Sequence, residues 1–192
     1  MDFVTRFIDT YSTNLSVNSR TLFKKIVHLQ NYKKGDIIAN EGEIATNFFL
    51  LKAGIIRSYD RDENGKNHIR TIYVPITTSG PLSSLITKKP STTIYDCLTD
   101  CEILVGNFSA FIKLTEEHQD LAHFYVRILE NIFLRTEKRI HDLTVLNATE
   151  RYLKLKKDIP NIDNLIQQYH VASFLNITPV QLSRIRKKLY SK

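Results

Sequence analysis

The hydrophobic period of this chain changes along its length, and that change limits the folds open to it. Between residues 32 and 105 the apolar residues come in short runs. Turn dipeptides cut the runs at Gly35-Asp36, Glu41-Gly42, Ala53-Gly54 and Asn64-Gly65. Asn64-Gly65 lies between Ile56–Tyr59 and His68–Ile72, whose alternation suits half-buried strands, so a hairpin is predicted there. Gly35, Gly42 and Gly54 stand where a turn favours positive φ. Further strands are expected at Thr93–Leu98 and Glu102–Val105. Short strands at this spacing predict an all-β roll or barrel-like sandwich. Helical stretches are expected before it, at 3–11 and 19–28, and from Phe108 the period is helical again. The fold class is therefore α+β, with segments at 1–107, 108–145 and 146–192.

Thr115 is the expected cap of a helix running to about Leu143, long for a globular protein. It carries two apolar stripes. Leu121, Tyr125, Ile128 and Ile132 form one; Val126, Leu129, Phe133, Ile140 and Leu143 form the other. A helix apolar on two faces has two things to pack against. One is its own β-roll and the other, most simply, the same helix of a second copy. The dimer contact is assigned to Leu121, Tyr125, Ile128 and Ile132; a central helix between two lobes of a monomer is the alternative. Arg135 and Arg139 interrupt the stripes and are expected to pair across the dimer with Glu130 or Glu137. Asn147-Ala148-Thr149-Glu150 reads as a capping box opening a further helix, which Pro160 stops.

The last twenty-odd residues hold two short helix patterns joined at Leu175-Asn176-Ile177. The second opens with Thr178 as N-cap, Pro179 at the first helical position, and Gln181 placed to return a bond to the cap. It closes on Arg184, Arg186, Lys187 and Lys188. Two short helices, a tight joint and a basic second helix are what a helix-turn-helix needs to enter a major groove. Net charge is +7, and residues 144–192 supply +6 of it, with nine basic and three acidic side chains. A basic end on a near-neutral body suits a polyanion partner. Leu182, Ile185 and Leu189 share a face assigned to core. His170 is read as a surface or packing residue rather than a pH switch. Arg186 points to solvent, pairs with Asp158 or Asp163, or helps position phosphate.

Several classes are excluded. Cys97 and Cys101 are the only cysteines, too few for an iron–sulfur cluster or a four-cysteine zinc site, and are read as buried and reduced. His68, His118, His123 and His141 are scattered, so no metal or cofactor is expected. No apolar run approaches a membrane span, and Met1-Asp2-Phe3-Val4 lacks the marks of a signal peptide. A cytoplasmic location is expected. No paired carboxylates, nucleophile–base motif or P-loop points to an enzyme.

Almost the whole chain resembles the Crp/Fnr family of bacterial transcription regulators. Lys34–Ile38, Gly42-Glu43 and Phe49–Tyr59 are similar to the opening strands of that family's cyclic-nucleotide-binding-type β-roll. Asp62–Lys66 matches its hairpin and Asp100–Leu104 its last strand. Val171–Pro179 with Leu182–Leu189 is similar to the short-tailed members common in the Bacteroidetes. The resemblance implies a homodimer on near-palindromic double-stranded promoter DNA, in contact with RNA polymerase.

Arg184 matches the family's base-reading arginine, suited to guanine O6 and N7. Pro179 and Val180 replace an Arg and a Glu of the best-known relatives, so the half-site should differ. Val180 suits a thymine methyl; Gln181 and Ser183 suit phosphate or base. The Thr178 N-terminus favours a phosphate, and Lys187 and Lys188 suit phosphate positioning. Only Leu189 to Lys192 follow, so a reduced wing is expected. The family's phosphate cassette maps onto Gly80, Leu82, Ser83, Ser91 and Thr92 as a ligand pocket. Pro81 or Leu82 stands at its Glu position and Ser91 at its Arg position. Both charged determinants are missing, which argues against cyclic AMP or GMP and for a different small effector or none. The alternatives are a sensory β-roll acting through protein–protein contacts, or a cyclic-nucleotide-responsive regulator with an atypical pocket.

Overall fold

The computed structural model describes residues 2–12 and 14–190. Met1, Thr13, Ser191 and Lys192, counted above within the outer segments and the short tail, lie outside the described residues. Helices α1 (Phe3–Tyr11) and α2 (Val17–Lys25) precede strands β1 (Val27–Tyr32), β2 (Ile37–Ala39), β3 (Asn47–Ala53), β4 (Ile56–Arg61), β5 (Asn67–Tyr73) and β6 (Thr77–Ser79). A short α3 (Leu82–Thr87) leads to β7 (Ile94–Cys97) and β8 (Cys101–Asn107). The rest is helical: α4 (Phe108–Glu117), α5 (Gln119–Val145), α6 (Ala148–Asp158), α7 (Ile162–Leu165), α8 (Gln168–Phe174) and α9 (Pro179–Tyr190). No strand follows β8 among the described residues.

The strands form two antiparallel four-stranded sheets, ordered β1-β8-β3-β6 and β2-β7-β4-β5. The central strands of the first, β3 and β8, are buried on both faces. Along β3, Phe48 and Leu50 point into a cluster with the helices, while Phe49 and Leu51 point into the roll interior. On β8, Leu104 joins the helical cluster, and Ile103 and Val105 join the interior. The unbroken run Phe48-Phe49-Leu50-Leu51 is the signature of a strand covered twice. The Asn64-Gly65 hairpin forms as expected, with the Gly65 N–H donating to the Asp62 carbonyl and the Asp62 carboxylate accepting from the Asn64 and Lys66 N–H groups. Gly54 is required on two counts. Its φ is +93°, and a Cβ there would lie 2.4 Å from the Asp100 carbonyl oxygen. Cys97 and Cys101 are free and buried in the roll interior.

Helices α1 and α2 are capped by Asp2 and Ser16, and their apolar sides meet α4 and α5 in an aromatic cluster. Phe124 touches Phe7, Phe23 and Phe111 edge-on at 6.3, 5.4 and 6.5 Å between ring centroids. Asp120 of α5 ties down α2 by accepting from Ser16 N–H at 2.9 Å and the Ser19 hydroxyl at 2.7 Å. Residues 27 and 28, expected to be helical, belong to β1, where tertiary pairing with β8 overrides local preference.

The long helix differs from expectation in two respects. It breaks at His118, which is extended, so α4 and α5 are separate; the Thr115 hydroxyl donates to the Ile112 carbonyl instead of capping. The stripe assigned to the dimer is also committed elsewhere. Leu121, Tyr125, Ile128 and Ile132 pack into the chain's own helix–sheet core, with Leu121 fully buried. The second stripe is the exposed one: Val126, Phe133, Ile140 and Leu143 face solvent, Phe133 at 67% exposure, and Leu129 is half-buried.

Candidate nucleic-acid interface and effector cavity

The C-terminal helices pack around Tyr152, Leu155, Ile162, Ile166, Val171 and Leu182. The Asn147 capping box starts α6, and the Tyr152 hydroxyl donates to Asp163 at 2.7 Å. Between α8 and α9 the chain turns within four residues. Asn176 takes a left-handed φ of 54°, and Ile177 N–H returns to the Ala172 carbonyl at 3.0 Å. Thr178 and Gln181 then form a reciprocal cap: Gln181 N–H donates to the Thr178 hydroxyl at 3.1 Å, and Thr178 N–H donates to the Gln181 side chain at 2.9 Å.

This cap fixes the presentation of α9. Leu182 is fully buried and Ile185 packs beside it, so the opposite face is outward. Thr178, Pro179, Val180, Gln181, Ser183, Arg184, Lys187 and Lys188 are all exposed. Arg184, Lys187 and Lys188 make no ion pair or hydrogen bond among the described residues. Arg186 lies 4.0 Å from Asp163, so it braces the helix on its inner side. Leu189, assigned to core, is 36% exposed at the helix end, beyond the reach of the packed elements.

A second set of contacts holds this helical unit against the β-roll. Arg57 and Asp96 are cross-strand partners on β4 and β7, and their side chains form a buried two-point pair at 2.7 and 2.7 Å. The remaining Arg57 nitrogen meets His170 Nδ1 of α8 at 2.9 Å. Ser173, also on α8, accepts from Ile69 N–H and donates to the Asn67 carbonyl on β5. His170 is thus a buried docking residue; burial, then the neighbouring Arg57 charge, lowers its pKa from 6.5 to about 4. An arginine and an aspartate in the middle of two apolar strands were visible in the sequence, but their pairing depends on the β4–β7 register.

Between the roll, α5 and the helical unit lies a cavity of about 980 Å³. Gly80, Leu82, Ser83, Ser91 and Thr92 all stand on its wall. Several of the polar groups there are turned on one another. The Ser91 hydroxyl donates to the Thr93 carbonyl and accepts from Thr93 N–H; Leu82 N–H donates to the Gly80 carbonyl, which also accepts from the Tyr95 hydroxyl. Pro81 precedes α3 and has no N–H. Arg135 and Arg139, expected to pair across a dimer, instead face inward on the same chain. Arg135 lies over the Tyr73 ring at 5.1 Å; Arg139 lies over the Phe174 ring at 3.9 Å and donates to the Phe174 carbonyl. Their inward direction follows from the turn of α5 against the roll, which the stripes alone did not reveal.

The family model described as the cyclic nucleotide-binding domain matches residues 29–118, which run from β1 to just beyond α4. Residues 29–118 are similar to that domain. Whole-chain likeness extends the comparison. FixK2 from Bradyrhizobium japonicum superposes with a TM-score of 0.75 at 17% identity, over 86% of this chain and 85% of that one. A protein from Eubacterium rectale described as a transcriptional regulator of the crp/fnr family gives 0.72 at 16% identity, over 92% and 85%. The c-di-GMP-responsive global regulator CLP from Xanthomonas campestris gives 0.71 at 15% identity, over 92% of each chain. The chain therefore shares the fold of these proteins, a β-roll followed by a helical unit. No curated protein sequence matches it significantly. Among the described residues no group of His, Cys, Asp and Glu is arranged to hold a metal, and no helix is long and apolar enough to cross a membrane.

Proposed function

We propose that the protein is a homodimeric, sequence-specific DNA-binding transcription regulator of the Crp/Fnr type. The observation that carries this reading is α9. It is a capped helix whose apolar side is buried and whose outward side holds Arg184, Lys187 and Lys188, which have no ion pair or hydrogen bond among the described residues. Arg184 has the reach and geometry for a guanine edge, and Lys187 and Lys188 supply the phosphate contacts that set affinity and its salt dependence. Thr178, Pro179, Val180, Gln181 and Ser183 form the rest of the groove surface. Residues 1–107 act as the input domain, 108–145 as the dimer helix and 146–192 as the DNA-binding unit. RNA polymerase at a promoter, in the cytoplasm, is the further partner. The cassette positions carry no charged phosphate ligand, so the effector is not a cyclic nucleotide held in the usual way.

The dimer seam in this reading is the exposed stripe of α5. Val126, Phe133 and Ile140 are spaced by sevens, and Leu129 and Leu143 stand three residues after Val126 and Ile140, the pattern of two helices supercoiling about one another. Selection of bound sequences from random duplex DNA tests the whole reading: the expected product is a two-fold repeat with half-sites about one helical turn apart. Recovery of no repeated motif overturns it. Arg184→Ala should cost about 1–3 kcal/mol on the selected site and leave weak, salt-sensitive binding to random duplex. An equal loss on both duplexes in a fluorescence titration removes the base-reading role.

A further inference from the structure

The cavity under the β-roll has a charge imbalance that the roll itself does not explain. The carboxylates on its wall are engaged: Asp142 with Lys154, Asp158 with Lys138, and Asp60 with Thr93 and Arg70. Arg135 has no carboxylate and no hydrogen-bond acceptor among the described residues, and its contact is with the face of Tyr73. Its charge also acts on Tyr11 and Tyr95, whose hydroxyls are otherwise made less acidic by burial. Ser79, on the same wall, has a buried hydroxyl with no partner among the described residues, and the same holds for the Arg139 Nε–H. A buried donor left without an acceptor costs about 1–3 kcal/mol, so such a cluster is a place where an acceptor is wanted.

We propose that this cavity binds a small carboxylate with an apolar or aromatic body, gripped by Arg135. The guanidinium matches a carboxylate in a two-point contact, and a single hydroxyl completes it. Tyr73, Tyr125, Phe108 and Ile132 supply the apolar walls for the body. A phosphate dianion fits less well. Of the cassette groups that would share its charge, Leu82 N–H, Thr93 N–H and the Ser91 hydroxyl are already bonded within the cassette, and Pro81 has no N–H. Arg139 stands one turn beyond Arg135 and covers Phe174 at the end of α8. Occupancy beside it therefore changes the seat of the helix-turn-helix, which couples input to output through contacts that exist in the chain. This inference rests on reading the roll as the input of a regulator, and its test uses no DNA.

The full-length protein is screened by ligand-observed NMR against pairs of small apolar carboxylic acids and their primary amides, with cyclic AMP as a separate sample. Acids should bind and their amides bind at least tenfold more weakly. Arg135→Gln should abolish the preference and Arg135→Lys should retain part of it, with circular dichroism showing both variants folded. Acids and amides binding alike, acid binding that survives Arg135→Gln, no acid binding at all, or cyclic AMP as the only ligand would each overturn the proposal. DNA affinity is measured in a separate titration, so a failure there bears on the regulator reading and not on the ligand class.

Discussion

Asp96→Ala should lower the unfolding free energy by about 3–5 kcal/mol, the largest effect expected of a single change in this protein. The cause is the burial of its partner. The Arg57 and Asp96 side chains are 9% and 11% exposed, and the guanidinium spends two nitrogens on the carboxylate and the third on His170. Removing the carboxylate leaves a charge in the interior with a single neutral acceptor. The double variant Arg57→Met with Asp96→Leu removes both charges and should recover most of the loss, because the desolvation penalty disappears with the pair. Urea denaturation followed by circular dichroism measures both; a midpoint within about 0.2 M of the parent for Asp96→Ala, at unchanged slope, would contradict the account. Because His170 belongs to α8, the amides of that helix should exchange faster in Asp96→Ala than those of β3.

The same contact has a pH signature. His170 is held from 6.5 down to about 4 by burial and by Arg57, partly offset by Asp96. The unfolded chain therefore takes up a proton near pH 6.5, and the folded chain does not until about pH 4. Its contribution to stability is complete above 6.5 and is lost as pH falls across that window. Compared with the parent, His170→Gln should show a shallower decline between pH 6.5 and 4 in chemical denaturation. Parallel curves would mean that the histidine titrates alike in both states.

The second large effect is expected at the exposed face of α5. Phe133→Asp with Ile140→Asp should halve the mass in analytical ultracentrifugation and weaken binding to a two-half-site duplex by about 10²–10⁴-fold, the usual gain from joining two binding modules. The fold itself should survive, since Phe133 and Ile140 are 67% and 59% exposed. A dimer that persists in this variant would rule out the seam. Ile128→Asp with Ile132→Asp is the contrasting change. Those residues lie in the core beneath the roll, so unfolding, not clean dissociation, is expected.

The reassignment of the two stripes shows what periodicity can and cannot supply. Both faces of α5 were legible as apolar, because a 3.6-residue period places Leu121 with Ile128 and Val126 with Phe133 whatever the surroundings. Which face meets the chain's own roll depends on where Phe7, Phe23, Phe48 and Phe111 arrive, and they come from four other elements. The break at His118 was hidden for a similar reason: no proline or glycine marks it, and α4 turns away only because Phe108 and Phe111 are buried against the sheet. The cap of α9 was legible because its parts, Thr178 and Gln181, are three residues apart and form their bonds locally.

Local chemistry in the sequence thus determined the change of the chain from helix to strands and back to helix, the Asn64-Gly65 hairpin, the left-handed turns at Gly35, Gly42 and Gly54, and the capped basic helix from Pro179. Each depends on residues within a few positions of one another, where backbone sterics and short hydrogen bonds decide the outcome. The tertiary structure alone decided the Arg57–Asp96–His170 contact, the inward turn of Arg135 and Arg139, and the freedom of Phe133. These join or separate groups more than thirty residues apart, and such pairings are set by strand register and by which apolar faces close first over one another.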